Sequence, residues 1–435
     1  MKVLVLGGGG REHALVWSLL RSPRVTEIVC APGNAGIAEL ARCVPVDLGD
    51  LAATVRLVEE EQPGLTVVGP ELPLSLGVVD ELQERGFRVF GPTAKAARLE
   101  TSKAFAKEFM QRHEIPTAAH AVCTTLNEVR SELKRFSVPV VVKADGLAAG
   151  KGVVICETHR EAEQTATEML SGALLGVAET FVVLEEFLEG EEVSFFALCD
   201  GRHAVMLAAA QDHKRIGEGD TGPNTGGMGA YTGDGLLTPA MEQWVMRNIA
   251  QRTVDQIGLE GTPFVGILFC GLMMVPQVDG TTMPTVLEFN TRFGDPETQA
   301  ILVRLETDVM DLFDAAIDGT ANRLAIRMLP GASVCVVAAS GGYPGSYTSG
   351  AVISGLAETG GDAAVFHSGT ARRGDAFVTA GGRVLGVTAV AEEERTGDSV
   401  LRGALDKAYA ALAKIQFDGM QYRRDIGWRA LRDGL

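Results

Sequence analysis

The stretch Pro139–Ile155, PVVVKADGLAAGKGVVI, decides how this chain is read. Two β-branched apolar runs flank a loop holding Gly146, Gly150 and Gly152, which is the pattern of strand, glycine-rich loop, strand. The first run ends at Lys143, and the loop carries a second cation, Lys151, among small residues that leave backbone N–H groups open to an anion. A phosphate chain fits such a loop. No Gly-Lys-Ser/Thr opens a helix, so this is not a Walker loop; bracketed by strands, it reads as a flap that folds over a nucleotide. A surface hairpin has the same local pattern, so the flanking sequence has to decide.

Upstream, Val3 to Leu6 reads as a buried strand, Gly7 to Gly10 as a tight turn and Arg11 to Arg21 as a helix. Strands at Glu27 to Cys30, Leu65 to Val68 and Arg88 to Phe90 alternate with helices near Leu51 to Glu61 and Leu74 to Arg85, which predicts a doubly wound parallel sheet. Gly7-x-Gly9 invites a dinucleotide reading, and two features oppose it. Glu12 stands where the third glycine belongs, and the second strand ends in Ala31-Pro32 instead of a ribose-binding acid. A turn that opens a helix still suits a phosphate.

Next comes a helical connector, then a helix from Lys103 capped by Thr101-Ser102. A lysine one residue past a cap is poorly placed for the helix dipole, so it is either solvated or turned toward a phosphate. Residues 117 to 189 read as a small α/β lid around the glycine-rich hairpin. Its last strand runs into EEFLEGEE, where Glu185, Leu188 and either Glu191 or Glu192 can serve an adenine edge and a ribose diol; an acidic solvated turn is the plainer reading. The segment Gln211 to Tyr231 lacks apolar periodicity and reads as one long functional loop, with Asp212, Lys214 and Arg215 available to a charged substrate. Gly266 to Met274 and Thr285 to Phe289 read as paired strands. Glu288 and Asn290 share a strand face and offer hard oxygen ligands of the kind Mg²⁺ takes, and Arg292 extends that face toward a carboxylate or phosphate. Beyond residue 326 the chain is β-rich, with Arg383 after two glycines and a final helix from about Ser399 to Ile415.

Composition narrows the function classes. With 435 residues, 46% of them hydrophobic and 22% charged, the chain exceeds one core and predicts three domains. A formal charge of -17 argues against general affinity for nucleic acid or anionic membranes, so anionic substrates must meet local cations. Seven scattered cysteines without a Cys-x-x-Cys pair suit reduced thiols and a cytoplasmic setting. No run approaches a membrane span, and the apolar start is too short for a signal-peptide core.

The runs GGGGREHAL from Gly7, KADGLAAGKG from Lys143, QDHKR from Gln211, GPNTGGMGAY from Gly222, EFN from Glu288, RFGDPETQ from Arg292 and GGRVL from Gly381 resemble the phosphoribosylamine–glycine ligase family of the ATP-grasp superfamily from end to end. The resemblance implies an N-terminal Rossmann-like domain at residues 1–101. It also implies an ATP-grasp domain at 102–325 with a mobile lid at about 117–189, and a β-rich C-terminal domain at 326–435. It implies ATP, Mg²⁺ or Mn²⁺, glycine and 5-phosphoribosylamine as the small molecules bound, and leaves a monomer open. Lys103, Lys143, Gly146, Gly150, Lys151 and Gly152 would face phosphates, and Glu185, Leu188 and Glu191 or Glu192 adenosine. Glu288 and Asn290 would hold the metal. Gly8, Gly9, Gly10, Asn34, Glu71 and Arg383 would hold phosphoribosylamine, while Asp212, Lys214 and Arg292, with Lys143, would act at the glycine and the transferring phosphoryl. A nicotinamide oxidoreductase and a nucleotide-sensing binding protein are the rival classes. The first gives the lid and EFN no purpose, and the second predicts no turnover.

Overall fold

Five parallel strands form the N-terminal layer in the order Arg42–Cys43, Glu27–Pro32, Lys2–Gly7, Leu65–Val68, Val89–Phe90. The computed structural model describes residues 1–146, 152–174, 180–392 and 400–433. Strand order reverses beside Lys2–Gly7, and the loops after Gly7 and Val68 meet at that crevice, where open α/β sheets take ligands. Glu12 fills it. Its carboxylate accepts from the Gly9 N–H (2.6 Å), and a Cβ on Gly69 would come within 2.1 Å of its Oε1. Paired with Arg11 (2.6 Å), this carboxylate takes the turn N–H and the space that the pyrophosphate of a dinucleotide would need, which is the physical meaning of the missing third glycine.

The glycine-rich hairpin belongs to a separate four-stranded antiparallel sheet, ordered His120–Cys123, Val182–Glu186, Val140–Ala144, Val153–Cys156. Helices Leu126–Glu132 and His159–Ser171, each opened by a threonine whose side chain accepts a backbone N–H, cover one face. Val129, Val140, Val142, Ala166, Met169 and Leu184 make that unit's own core.

An eight-stranded sheet carries the rest: Thr282–Asn290, Val265–Pro276, Glu191–Asp200, Ala204–Asp212, Gly229–Gly233, Ala332–Ala339, Arg383–Ala391, Ala363–His367. Gly229–Gly233 pairs with Ala332–Ala339, so the central sheet continues into the last third of the chain without a break. Helices Gly10–Leu19, Glu297–Arg304 and Val309–Ile317 pack between this sheet and the N-terminal layer around Leu15, Phe293, Ile301 and Phe313.

Three segments differ from the sequence expectation. The helix expected over Leu74 to Arg85 is two helices, Glu71–Ser75 and Val78–Glu84, broken at Gly77 with φ 86°. The last long helix ends at Leu412, and a short one follows at Trp428–Asp433. The supposed loop Gln211 to Tyr231 holds a small hairpin, Arg215–Gly217 with Thr221–Asn224, and its two ends are strands of the large sheet. Charge fixes this hairpin instead of apolar packing. Fully buried Arg423 donates to Asp220 Oδ1 (2.8 Å), to the Arg215 carbonyl (3.1 Å) and to both Asp425 oxygens (2.8 and 2.7 Å), while Arg429 donates to Asp220 Oδ2 (2.5 Å).

Replacing Arg423 by Met leaves Asp220 and Asp425 half-buried without their shared partner. The expected loss is about 2–3 kcal/mol of folding stability, at the low end for buried pairs because both acids keep some contact with water. A urea midpoint in Arg423→Met equal to that of the parent protein would remove this network from the stability of the hairpin.

Candidate active site

A cavity of about 460 Å³ opens between the small sheet, the large sheet and the edge of the N-terminal layer. Its lining includes the apolar side chains Leu99, Met110, Val141, Ile155, Leu188 and Met273, of the kind that suits a planar base. The same cavity is lined by Lys103, Lys143, Lys214, Arg292, Glu288 and Asn290.

Secondary structure places each of these. Ser102 caps the helix Lys103–Arg112 by accepting from the Phe105 N–H, which puts Lys103 in the first turn, its Nζ 3.1 Å from the Gly146 carbonyl. Asp145 holds the same helix start by accepting from the Ala104 N–H (2.8 Å). Lys143 lies at the end of Val140–Ala144, with its Nζ 2.9 Å from Glu185 Oε2 and 3.2 Å from the Leu287 carbonyl. Glu185 is almost wholly buried; Lys107 also reaches its Oε2 (2.9 Å), and its Oε1 has no hydrogen-bond partner among the described residues. Burial pushes the Glu185 carboxyl up, and the two lysines outweigh that and hold it below the ordinary value. Burial pulls the Lys107 ammonium down to about 8 against the pull of Glu185.

Glu288 and Asn290 lie on one face of Thr282–Asn290, opposite Gly271 and Phe269 of the neighbouring strand. Gly271 makes the room, since a Cβ there would stand 3.3 Å from Glu288 Cγ. Burial raises the Glu288 carboxyl, and Lys214, Lys143, Lys103 and Arg292 together bring it below its usual value. An ionised carboxylate beside an amide oxygen is a donor set for a hard divalent cation. Among the described residues no cluster of three or more His, Cys, Asp or Glu side chains could hold a metal, so these two oxygens would need water or phosphate to complete a shell.

Arg292, past the end of the strand, donates to Asn290 Oδ1 (3.2 Å) and pairs with Glu100 (3.0 Å) and Glu71 (3.4 Å). Lys214 pairs with Glu192 (2.6 Å). Burial alone would lower the Lys214 ammonium, and Glu192, Asp212 and Glu288 raise it well above its ordinary value. Burial lifts the neighbouring Asp212 carboxyl to about 7, opposed by Lys214 and assisted by Glu297 and Glu192.

Of the paired alternatives on EEFLEGEE, Glu192 lines the cavity and Glu191 is exposed on the other face of its strand. Gly8, Gly9, Gly10, Asn34 and Arg383 lie around an adjoining place, joined to the cavity through Asp295. A Cβ on Gly9 would lie 3.4 Å from Asp295 Oδ2, and Arg383 donates to the Asp295 carbonyl (2.6 Å). Asn34 spends its amide on backbone, donating to the Gly8 and His367 carbonyls (2.8 Å each) and accepting from Gly36 and Ile37 N–H. Gly150 and Lys151 lie outside the described residues. Sequence reasoning missed Lys107, Glu100, Asp295 and Glu297. Lys107 had a signal, being one helical turn after Lys103. Asp295 and Glu297 lay in the run RFGDPETQ, whereas Glu100 had no signal, because only folding brings it to Arg292.

Three family models match the chain in succession: the N domain of phosphoribosylglycinamide synthetase over residues 1–100, its ATP-grasp (A) domain over 101–298 and its C domain over 333–429. The chain belongs to the phosphoribosylglycinamide synthetase family. It is a ligase built on an ATP-grasp domain. Among relatives in this family, the phosphoribosylamine–glycine ligase of Xanthomonas campestris pv. campestris is 50% identical over 99% of this chain and 98% of its own. That of Vibrio cholerae is 47% identical over 99% of each. The crystal structure of phosphoribosylamine–glycine ligase from Thermotoga maritima superposes with a TM-score of 0.83 at 34% identity, covering 98% of this chain and all of that one. The biotin carboxylase domain of 2-oxoglutarate carboxylase from Hydrogenobacter thermophilus, solved with MgADP, shares the fold alone, with a TM-score of 0.73 at 18% identity over 97% of this chain and 91% of that one.

Two substitutions test the family site on this chain. Glu192→Gln is expected to raise the dissociation constant for ADP about tenfold, the worth of one hydrogen bond to a charged group, with Glu191→Gln within about twofold of the parent. The reverse order in calorimetric titrations would move the ribose contact to Glu191. Glu288→Gln is expected to keep the fold and lose turnover most severely when divalent metal is limiting, because an amide is the poorer ligand for a hard cation. Parental rates at low metal would remove Glu288 from that role.

Proposed function

We infer that this protein joins glycine to 5-phosphoribosylamine while splitting ATP, giving glycinamide ribonucleotide, ADP and phosphate in the second step of de novo purine biosynthesis. The observation that carries this reading is the convergence of Lys103, Lys143, Lys214 and Arg292 on Glu288, beside Asn290, in one cavity that is also lined by apolar side chains. A chain of charge -17 has gathered its cations where a triphosphate would lie. The full-length likeness to proteins named phosphoribosylamine–glycine ligase supplies the substrates.

A glycine carboxylate is a poor acyl electrophile, so it has to be activated. Burial raises the thiols of all seven cysteines, and none is prepared as a nucleophile for an acyl-enzyme. Activation therefore falls to ATP. A glycine carboxylate oxygen attacks the γ-phosphorus, the bond to ADP breaks, and glycyl phosphate forms. The nitrogen of phosphoribosylamine then attacks the acyl carbon and phosphate leaves. Lys143 and Lys103 hold the phosphates, and Lys214 and Arg292 meet the charge that develops on the transferring group. Asp212, its carboxyl near 7, accepts the proton that the amine sheds. Mg²⁺ or Mn²⁺ held by Glu288 and Asn290 would supply further charge stabilisation at the phosphoryl oxygens. The small sheet serves as a lid that excludes water from the acyl phosphate. The free thiols suit a reducing cytoplasm, and among the described residues no helix is long and apolar enough to cross a membrane.

With ¹⁸O in the glycine carboxylate, one labelled oxygen is expected in the released phosphate, which mass spectrometry reads directly. Unlabelled phosphate alongside labelled product would exclude the acyl phosphate. No phosphate release that depends on both glycine and phosphoribosylamine would leave a nucleotide sensor.

A further inference from the structure

Lys107 is a buried cation that the reaction as described does not use. It sits one turn after Lys103 on the helix Lys103–Arg112, 2% exposed, at the wall of the cavity. Its Nζ lies 2.9 Å from Glu185 Oε2 and donates to Thr117 Oγ1 (2.7 Å), and that hydroxyl donates to the Val286 carbonyl (2.7 Å). Lys143 reaches the same Oε2 from the other side at 2.9 Å. Two ammonium groups thus crowd one carboxylate oxygen. The other oxygen, Oε1, is buried and has no hydrogen-bond partner among the described residues, although Glu185 lines the cavity beside Glu186, Phe187 and Leu188.

That arrangement is costly for an isolated protein. A buried acceptor without a donor loses its hydration and receives nothing in exchange. Two lysines could satisfy both oxygens by taking one each, and here they do not. Lys143 is also bound to the Leu287 carbonyl, whereas Lys107 is tied through Thr117 to the strand Thr282–Asn290. The Lys107 to Thr117 to Val286 chain therefore holds the carboxylate by Oε2 and leaves Oε1 buried without a donor of its own among the described residues.

We propose that Lys107 is a positioning residue for base selection, which with Thr117 holds Glu185 so that Oε1 accepts a hydrogen bond from the 6-amino group of a purine nucleotide. Lys107 touches no substrate in this arrangement. A 6-oxo purine would set its own acceptor against Oε1, so the same geometry disfavours guanine nucleotides. The proposal rests on the nucleotide reading given above and adds to it the residue that enforces the choice of base.

The test is calorimetric titration of the full-length protein with two ligands, ADP and purine riboside 5′-diphosphate, which has hydrogen in place of the 6-amino group. The parent protein is expected to bind ADP about tenfold more tightly than the analogue. Lys107→Met should bring that ratio to within about twofold and Lys107→Arg should keep most of it. Thr117→Val, which loosens Lys107 without removing its charge, should lower the ratio partway and covers the case in which Lys107→Met fails to fold. Equal weakening of both ligands in Lys107→Met, with the ratio intact, would reduce Lys107 to a counter-charge and overturn the proposal. An unchanged ratio in Thr117→Val would do the same, as would a parent protein without preference. Because these titrations contain neither glycine nor phosphoribosylamine, a protein that binds both ligands with the expected ratio but lacks ligase turnover would sink the proposed reaction and keep this assignment. Failure to bind either ligand would overturn both.

Discussion

The guanidinium of Arg292 is the point at which three elements from different parts of the chain are held together. It pairs with Glu71 at the carboxyl end of a parallel strand, with Glu100 in the last turn of the helix Ala94–Thr101, and with Asn290 at the end of the strand that carries Glu288. A charge in such a place must be matched, because removing it from water costs far more than a protein's whole margin of stability unless partners surround it. Glu71 and Glu100 respond to this in opposite directions. Burial pushes both up, but Arg292 and Arg11 bring Glu71 below its ordinary value, whereas Glu100 stays raised beside Glu71. The same guanidinium therefore orients the site and welds the N-terminal layer to the large sheet.

The rest of the cavity follows the same rule. Lys143 is divided between Glu185 and the Leu287 carbonyl, Lys214 is paired with Glu192, and Arg383 is held by the Gly226 and Asp295 carbonyls. Each cation is thus positioned by a contact from a different element, and an anionic ligand would exchange partners with groups already in place instead of ordering free side chains. The C-terminal region contributes through backbone as well. Tyr343 Oη accepts from the Gly226 N–H (3.0 Å) while Arg383 takes the Gly226 carbonyl, so that one glycine is fixed on both sides. A Cβ there would lie 3.0 Å from Arg383 Cζ, so a side chain at this position crowds the guanidinium.

Much of this was legible in the amino acids. Alternating apolar runs and turns give the parallel sheet, the β-branched runs around Lys143 give the hairpin strands, and the period of two puts Glu288 and Asn290 on one face; all of these are local consequences of backbone geometry. The spacing of Lys107 from Lys103 is legible too; its burial is not, because a helical lysine is ordinarily solvated.

What the chain alone determined is therefore the set of elements, their faces and the residue types brought to the ends of particular strands. Only the tertiary structure decided which charges meet. Glu192 and not Glu191 enters the cavity because the strand Glu191–Asp200 turns one face to Met273 and Lys214. The segment 211–231 is ordered because Arg423, two hundred residues away, supplies the cation that its polar hairpin cannot bury by itself. Local patterns come from backbone periodicity, which a sequence displays residue by residue. Pairing of buried charge is set by distance through space, and no periodicity in the sequence records that.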